Sequence, residues 1–149
     1  MMYHSEFALP KPSRKRRIGK HTTKKRTSER RKLEVQADGL TRTLVLRRDL
    51  ERCLKCGGEK MLQAAHIFPK GKYPLLRYVL ENLLTLCYRD HLEWAHKDPI
   101  GFTDWIEAKW PGRIQRLRES AALPRKIDYK ELLLVLEAEA GVGSRQEPS

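Results

Sequence analysis

Three cysteines carry the densest chemistry in this 149-residue chain. Cys53 and Cys56 are spaced Cys-x2-Cys, and Gly57 and Gly58 follow at once. Two thiolates at that spacing converge on one tetrahedral ion, with the glycines allowing the tight turn. Cys87 opens a second half-site, Cys87-Tyr-Arg-Asp90-His91. Asp90 repeats the x2 gap of the first half-site. His91, next to it, would complete the commoner Cys3His donor set. Either residue is a candidate fourth ligand. An odd cysteine count argues against a disulfide framework, and no βαβ pattern surrounds the Cys-x2-Cys pair as in a thioredoxin-like redox site. A structural Zn2+ is therefore expected.

Between the half-sites lie His66 and Asn82, and His91 closes the second. A lone histidine on a short strand is more often structural than catalytic. Its place inside a metal-bracketed segment makes His66 a candidate catalytic residue. Asn82 gains weight only from its gap to His91. His96 follows His91 by five residues, a poor spacing for sharing one face of an α-helix.

The order Cys53-x2-Cys56, His66, Asn82, Cys87, His91 resembles the HNH family of ββα-metal (His-Me finger) endonucleases over roughly residues 50–107. The stretches Leu-Gln-Ala-Ala-His66-Ile-Phe, Asn82-Leu-Leu-Thr-Leu-Cys87 and Asp98-Pro-Ile-Gly-Phe-Thr-Asp-Trp105 are similar to phage NinG-type recombination nucleases. The resemblance implies a small α+β fold, with a ββα-metal core tied by structural zinc and flanked by helices. It implies that His66 activates water, that Asn82 holds the loop bearing the base, and that His91 ligates a catalytic Mg2+ or Mn2+. His96 is a candidate second ligand, because Ala65 stands where many members carry Asp or His. Zinc would sit on Cys53, Cys56, Cys87 and Asp90. The implied activity is hydrolysis of DNA phosphodiester bonds, in a phage or prophage protein acting in the bacterial cytoplasm.

These residues need elements to position them. The sequence predicts a short helix over 38–52, a turn at 53–58, a strand within 61–68, a Gly/Lys/Pro loop at 69–74 and an apolar run at 83–86. Helices are predicted at 88–97, 99–109 and 112–121. The last helix, 128–140, is capped by Asp128 with Glu131 three residues on and is ended by Gly141. Trp94, Trp105 and Trp110 are expected in the core. Arg77, Arg89 and Arg113 are expected either on phosphates or in solvent.

Charge divides the chain. Residues 1–32 hold twelve Lys/Arg and two acids, +10 of the formal +12. Such a segment is read as a disordered basic arm that contacts nucleic acid through Arg14, Lys15, Arg16, Arg17, Lys24, Lys25, Arg26, Arg30, Arg31 and Lys32. The division is then a basic arm (1–32), a zinc-bracketed domain (33–110), C-terminal helices (111–141) and a disordered tail (142–149). No apolar run reaches the roughly 18 residues of a membrane span, and no apolar leader opens the chain. DNA is the expected partner, with the C-terminal helices a candidate homodimer interface. Two other functions fit the same residues: a non-catalytic zinc-stabilised nucleic-acid-binding module, and a nuclease that resolves branched DNA such as a Holliday junction.

Overall fold

A computed structural model describes residues 24–123 and 126–141. Its elements in order are α1 (Lys24–Arg48), β1 (Leu62–His66), β2 (Leu83–Cys87), a π-helix (Arg89–Ala95), α2 (Pro99–Lys109), α3 (Arg113–Ala122) and α4 (Tyr129–Ala140). Two short 3-10 turns, Pro74–Leu76 and Leu80–Asn82, lie between the strands. The protein is a small α+β fold. Among the described residues no helix is long and apolar enough to cross a membrane.

The strands pair antiparallel, from Leu62 opposite Cys87 to His66 opposite Leu83. A two-stranded sheet is marginal alone. Here Ala65, Leu84 and Leu86 pack with Cys53, Phe102, Ile106 and Ile114 in one core. Trp94, Trp105 and Trp110 are half-buried against it, with Lys55 Nζ 3.9 Å above the Trp94 ring. Asp98 caps α2 by accepting from Gly101 N, and Pro99 occupies the first turn, where its missing N–H costs nothing.

A second core joins the two ends of the chain. Ala37 and Leu44 of α1 pack with Leu133 and Leu136 of α4. Polar bonds fasten the same contact: Gln36 to Glu137 at 3.0 Å and Arg47 to the Ala140 carbonyl at 3.1 Å. Asp128 caps α4 by accepting from Lys130 N and Glu131 N, and Gly141 ends it at φ 72°. The apolar face expected to meet a second copy is thus largely covered by α1, leaving Leu134 and Val135 exposed.

The expected helix at 38–52 is much longer and starts earlier. Residues 24–32, read from sequence as part of a disordered arm, are the first turns of α1, so the expected boundary at 32 falls inside a helix. Lys, Arg, Glu and Leu are good helix formers, and an Arg30–Glu34 ion pair supports the exposed face. Packing on α4 also carries the helix through Gly39, which costs about 1 kcal/mol in a helix interior. Arg14, Lys15, Arg16 and Arg17 lie outside the described residues, as does the tail 142–149. Arg30, Arg31 and Lys32 are exposed on α1.

Candidate active site and metal centre

The cysteines meet because three backbone ties bring their turn to the end of the sheet. Cys53 N donates to Gly58 O, and Gly57 N donates to Cys53 O. Leu54 N donates to Thr85 O on β2. Gly57 sits at φ 76°, a conformation that needs glycine. Cys87 ends β2, and Asp90 lies in the first turn of the π-helix. The ligand atoms of Cys53, Cys56, Cys87 and Asp90 all fall within 4.8 Å of one another. Asp90 Oδ2 is 3.2 Å from Cys53 Sγ and 3.3 Å from Cys87 Sγ. Three thiols and one carboxylate form a closed four-donor group that could hold a metal ion, and the chemistry of that set suits zinc.

Asp90, not His91, therefore completes the cluster. Burial disfavours the charged form of Asp90, but hydrogen bonds from the three thiols outweigh it and lower its pKa. The Asp90 carboxylate and its companion thiols push Cys56 up to about 12. A bound divalent cation reverses that preference, since the thiolate is the ligand.

His91 turns the other way. Its Nδ1 lies 2.7 Å from Gln63 Oε1, on β1. The amide oxygen can only accept, so Nδ1 carries the proton and Nε2 keeps its lone pair. That Nε2 is 3.2 Å from His96 Nε2. The π-helix explains the pairing: His96 N bonds to His91 O, five residues back, so residues i and i+5 stack. The spacing that is poor on an α-helix is favourable here. The two rings meet edge to face with centroids 4.7 Å apart.

His66 ends β1 on the same cleft. Its Nε2 lies 3.0 Å from the Arg77 carbonyl, which can only accept, so in the neutral ring Nδ1 is the unprotonated nitrogen. Burial lowers the His66 pKa, and the nearby Lys70 and Arg77 charges act in the same direction. Burial, with His96 and His66 nearby, likewise lowers that of His91.

Asn82 is fully buried and uses both ends of its amide. It accepts from Phe68 N at 2.8 Å and donates to the Phe68 and Leu76 carbonyls at 3.1 and 3.0 Å. It thereby closes the 66–82 loop whose Arg77 carbonyl holds His66. Arg77 is fastened in turn to Asp38 of α1 at 2.9 and 2.6 Å, so α1 helps fix the loop.

His66, His91 and His96 line a common groove of about 620 Å³ between β1, the π-helix and the start of α2. Comparison with known protein families, curated proteins and solved structures finds no match to this chain. What the site can do must come from its own geometry.

Arg113 corrects an expectation. It is neither in solvent nor free for a phosphate: it is buried and donates to the carbonyls of Glu81 and Leu83. Burial lowers its pKa to about 10. Arg77 is likewise occupied by Asp38. Sequence inspection missed Gln63, which orients His91, and Asp38, which anchors Arg77. Neither residue type at its position signals a role, because each acts across the fold.

Proposed function

We propose that this chain is a metal-dependent endonuclease of the HNH type, built on a ββα-metal core and hydrolysing DNA phosphodiester bonds. One observation carries the reading: the three imidazoles of His66, His91 and His96 face one groove beside a separate four-donor thiol–carboxylate cluster. Zn2+ is assigned to that cluster as a structural ion, and Mg2+ or Mn2+ to His91 and His96. Two imidazole nitrogens 3.2 Å apart, one fixed by Gln63, are a fitting donor pair for one cation.

In this reading His66 Nδ1 takes the proton of a water whose oxygen attacks phosphorus. The P–O3′ bond breaks, and the leaving oxygen gains a proton from solvent. The Arg77 carbonyl holds the His66 ring in the tautomer this requires, and favours the imidazolium once formed. Asn82 keeps that carbonyl in place. A cation bound by His91 and His96 would supply positive charge beside the phosphate oxygens. The exposed cations of α1 and those before it add backbone affinity.

One feature favours the non-catalytic module. Ala65 is 1% exposed and packs in the core, so the position before His66 offers no ligand. Nicking of supercoiled plasmid with Mg2+ or Mn2+ decides between the two. Wild type should nick, and His66→Ala should lose roughly a hundredfold or more of the rate while still binding DNA. A wild type that binds DNA but never nicks would instead be the zinc-stabilised module. Preference for a four-way junction over linear duplex would mark a branched-DNA resolving enzyme.

A further inference from the structure

We propose that the α1 side of the cleft binds a second phosphodiester, the neighbour of the one being cleaved. The occupant's identity rests on the nuclease reading; the anion site itself does not. A pocket of about 320 Å³ lies between α1 and β1, sharing His66, Lys70 and His91 with the larger groove. A strand whose reacting phosphate faces His66 therefore runs directly into it.

Three observations make this pocket an anion site. Its free charge is positive: Arg42 and Lys70 line it, both exposed, and neither has an ion-pair partner among the described residues. Arg42 uses one nitrogen, Nη2, on the Leu62 carbonyl, and its other donors remain available. The one carboxylate on this wall, Asp38, is neutralised by Arg77.

The second observation is Thr41. It lines the same pocket, is 2% exposed, and its hydroxyl has no hydrogen-bond partner among the described residues. A buried hydroxyl without a partner is rare and costly. A phosphate oxygen would satisfy it.

The third is what the wall lacks. No Phe, Tyr or Trp lines this pocket, and its two imidazoles, His66 and His91, are engaged by the Arg77 carbonyl and Gln63, so it offers no broad platform on which a nucleobase could stack. Guanidinium, ammonium and hydroxyl donors suit a phosphate oxygen instead. The pocket thus makes α1 part of the substrate track.

The test uses the full zinc-loaded chain and a fluorescent 20-base-pair DNA, with no catalytic cation added, so that cleavage does not intervene. Anisotropy gives affinity against salt. Arg42→Gln and Lys70→Gln should each weaken binding several-fold and reduce the log–log salt slope by about 1. Thr41→Val should weaken binding with the slope unchanged. Arg118→Gln, an exposed arginine of α3 outside this pocket, should do neither. Unchanged slopes for Arg42→Gln and Lys70→Gln overturn the site, as does an equal loss in Arg118→Gln. Inorganic phosphate gives a second reading. It should shift the His66 and His91 ring signals in wild type and not in the Arg42→Gln/Lys70→Gln double variant; rings unmoved in wild type also overturn it. Slopes that fall as stated in a protein that never nicks plasmid sink the nuclease reading alone. Nicking with unchanged slopes sinks this pocket alone.

Discussion

His91 and His96 bring their Nε2 atoms to 3.2 Å although five residues separate them along the chain. The π-helix from Arg89 to Ala95 makes this possible, since its repeat stacks i on i+5. It also sends Asp90 toward the thiols and the next residue, His91, into the groove. One short helix thus serves both the thiol–carboxylate cluster and the imidazole groove.

Removing either member of the pair should show in cation binding before it shows in stability. His96 is exposed, so His96→Ala should fold normally and lose Mn2+ affinity. Gln63→Leu should lose roughly 10- to 100-fold by freeing the His91 ring, the usual effect of losing an orienting partner. Mn2+ titration followed by electron paramagnetic resonance checks both. Wild-type affinity in His96→Ala would mean that the pair does not share an ion.

The thiol–carboxylate cluster should hold about one zinc per chain by elemental analysis. Cys53 is buried in the main core, and its turn is tied to β2. Cys53→Ser should therefore unfold the domain, and chelation should lower the melting temperature of wild type. Asp90→His should retain zinc, since Cys3His is a common donor set, whereas Asp90→Ala should bind it weakly. A chain that melts identically with and without chelator would remove the structural ion from the account.

Asn82→Ala should be among the most damaging single changes. It leaves Phe68 N and the Phe68 carbonyl without the partner that a fully buried side chain supplies, and takes one of two bonds from the Leu76 carbonyl, which keeps Val79 N. Each orphaned group costs about 1–3 kcal/mol, so for two of them a loss of about 2 kcal/mol or more is expected. Urea unfolding reads it as a lower midpoint at unchanged slope. A loss below about 1 kcal/mol would show that the loop is held by something else.

His66 gives stability a definite pH dependence. Burial holds its folded pKa below the ordinary histidine value of 6.5. Above that value both folded and unfolded chains carry a neutral ring. As pH falls below 6.5, the unfolded chain takes up a proton more readily than the folded one, so stability drops. His66→Gln should flatten that part of the curve. For catalysis by a neutral His66, the acid limb of the rate profile should likewise lie below pH 6.5. An acid limb well above 6.5 would be falsifying evidence against His66 as the base.

Some of this was legible in the chain itself. The x2 spacings of Cys53–Cys56 and Cys87–Asp90 name a four-donor set, because ligand spacing on a tight turn is a local property. Asp128, Glu131 and Gly141 mark the ends of α4 for the same reason, since caps satisfy backbone groups within a few residues. The strand at 62–66 and the helix at 99–109 follow from local pattern and from Pro99.

Other features depend on partners far away in sequence. Composition made residues 24–32 look disordered, but α4, about a hundred residues later, gives the following turns of α1 an apolar surface to cover. Seven residues are too few for periodicity to separate a π repeat from an α one, so the pairing of His91 with His96 is invisible until the helix is wound. Arg113 reads as a cation for phosphate or solvent and is buried, because carbonyls of the segment around β2 supply acceptors that no local pattern announces. The identity of the donor atoms belongs to the sequence. Which of them share a cleft was decided by long-range packing, since only packing brings groups from distant segments within bonding distance.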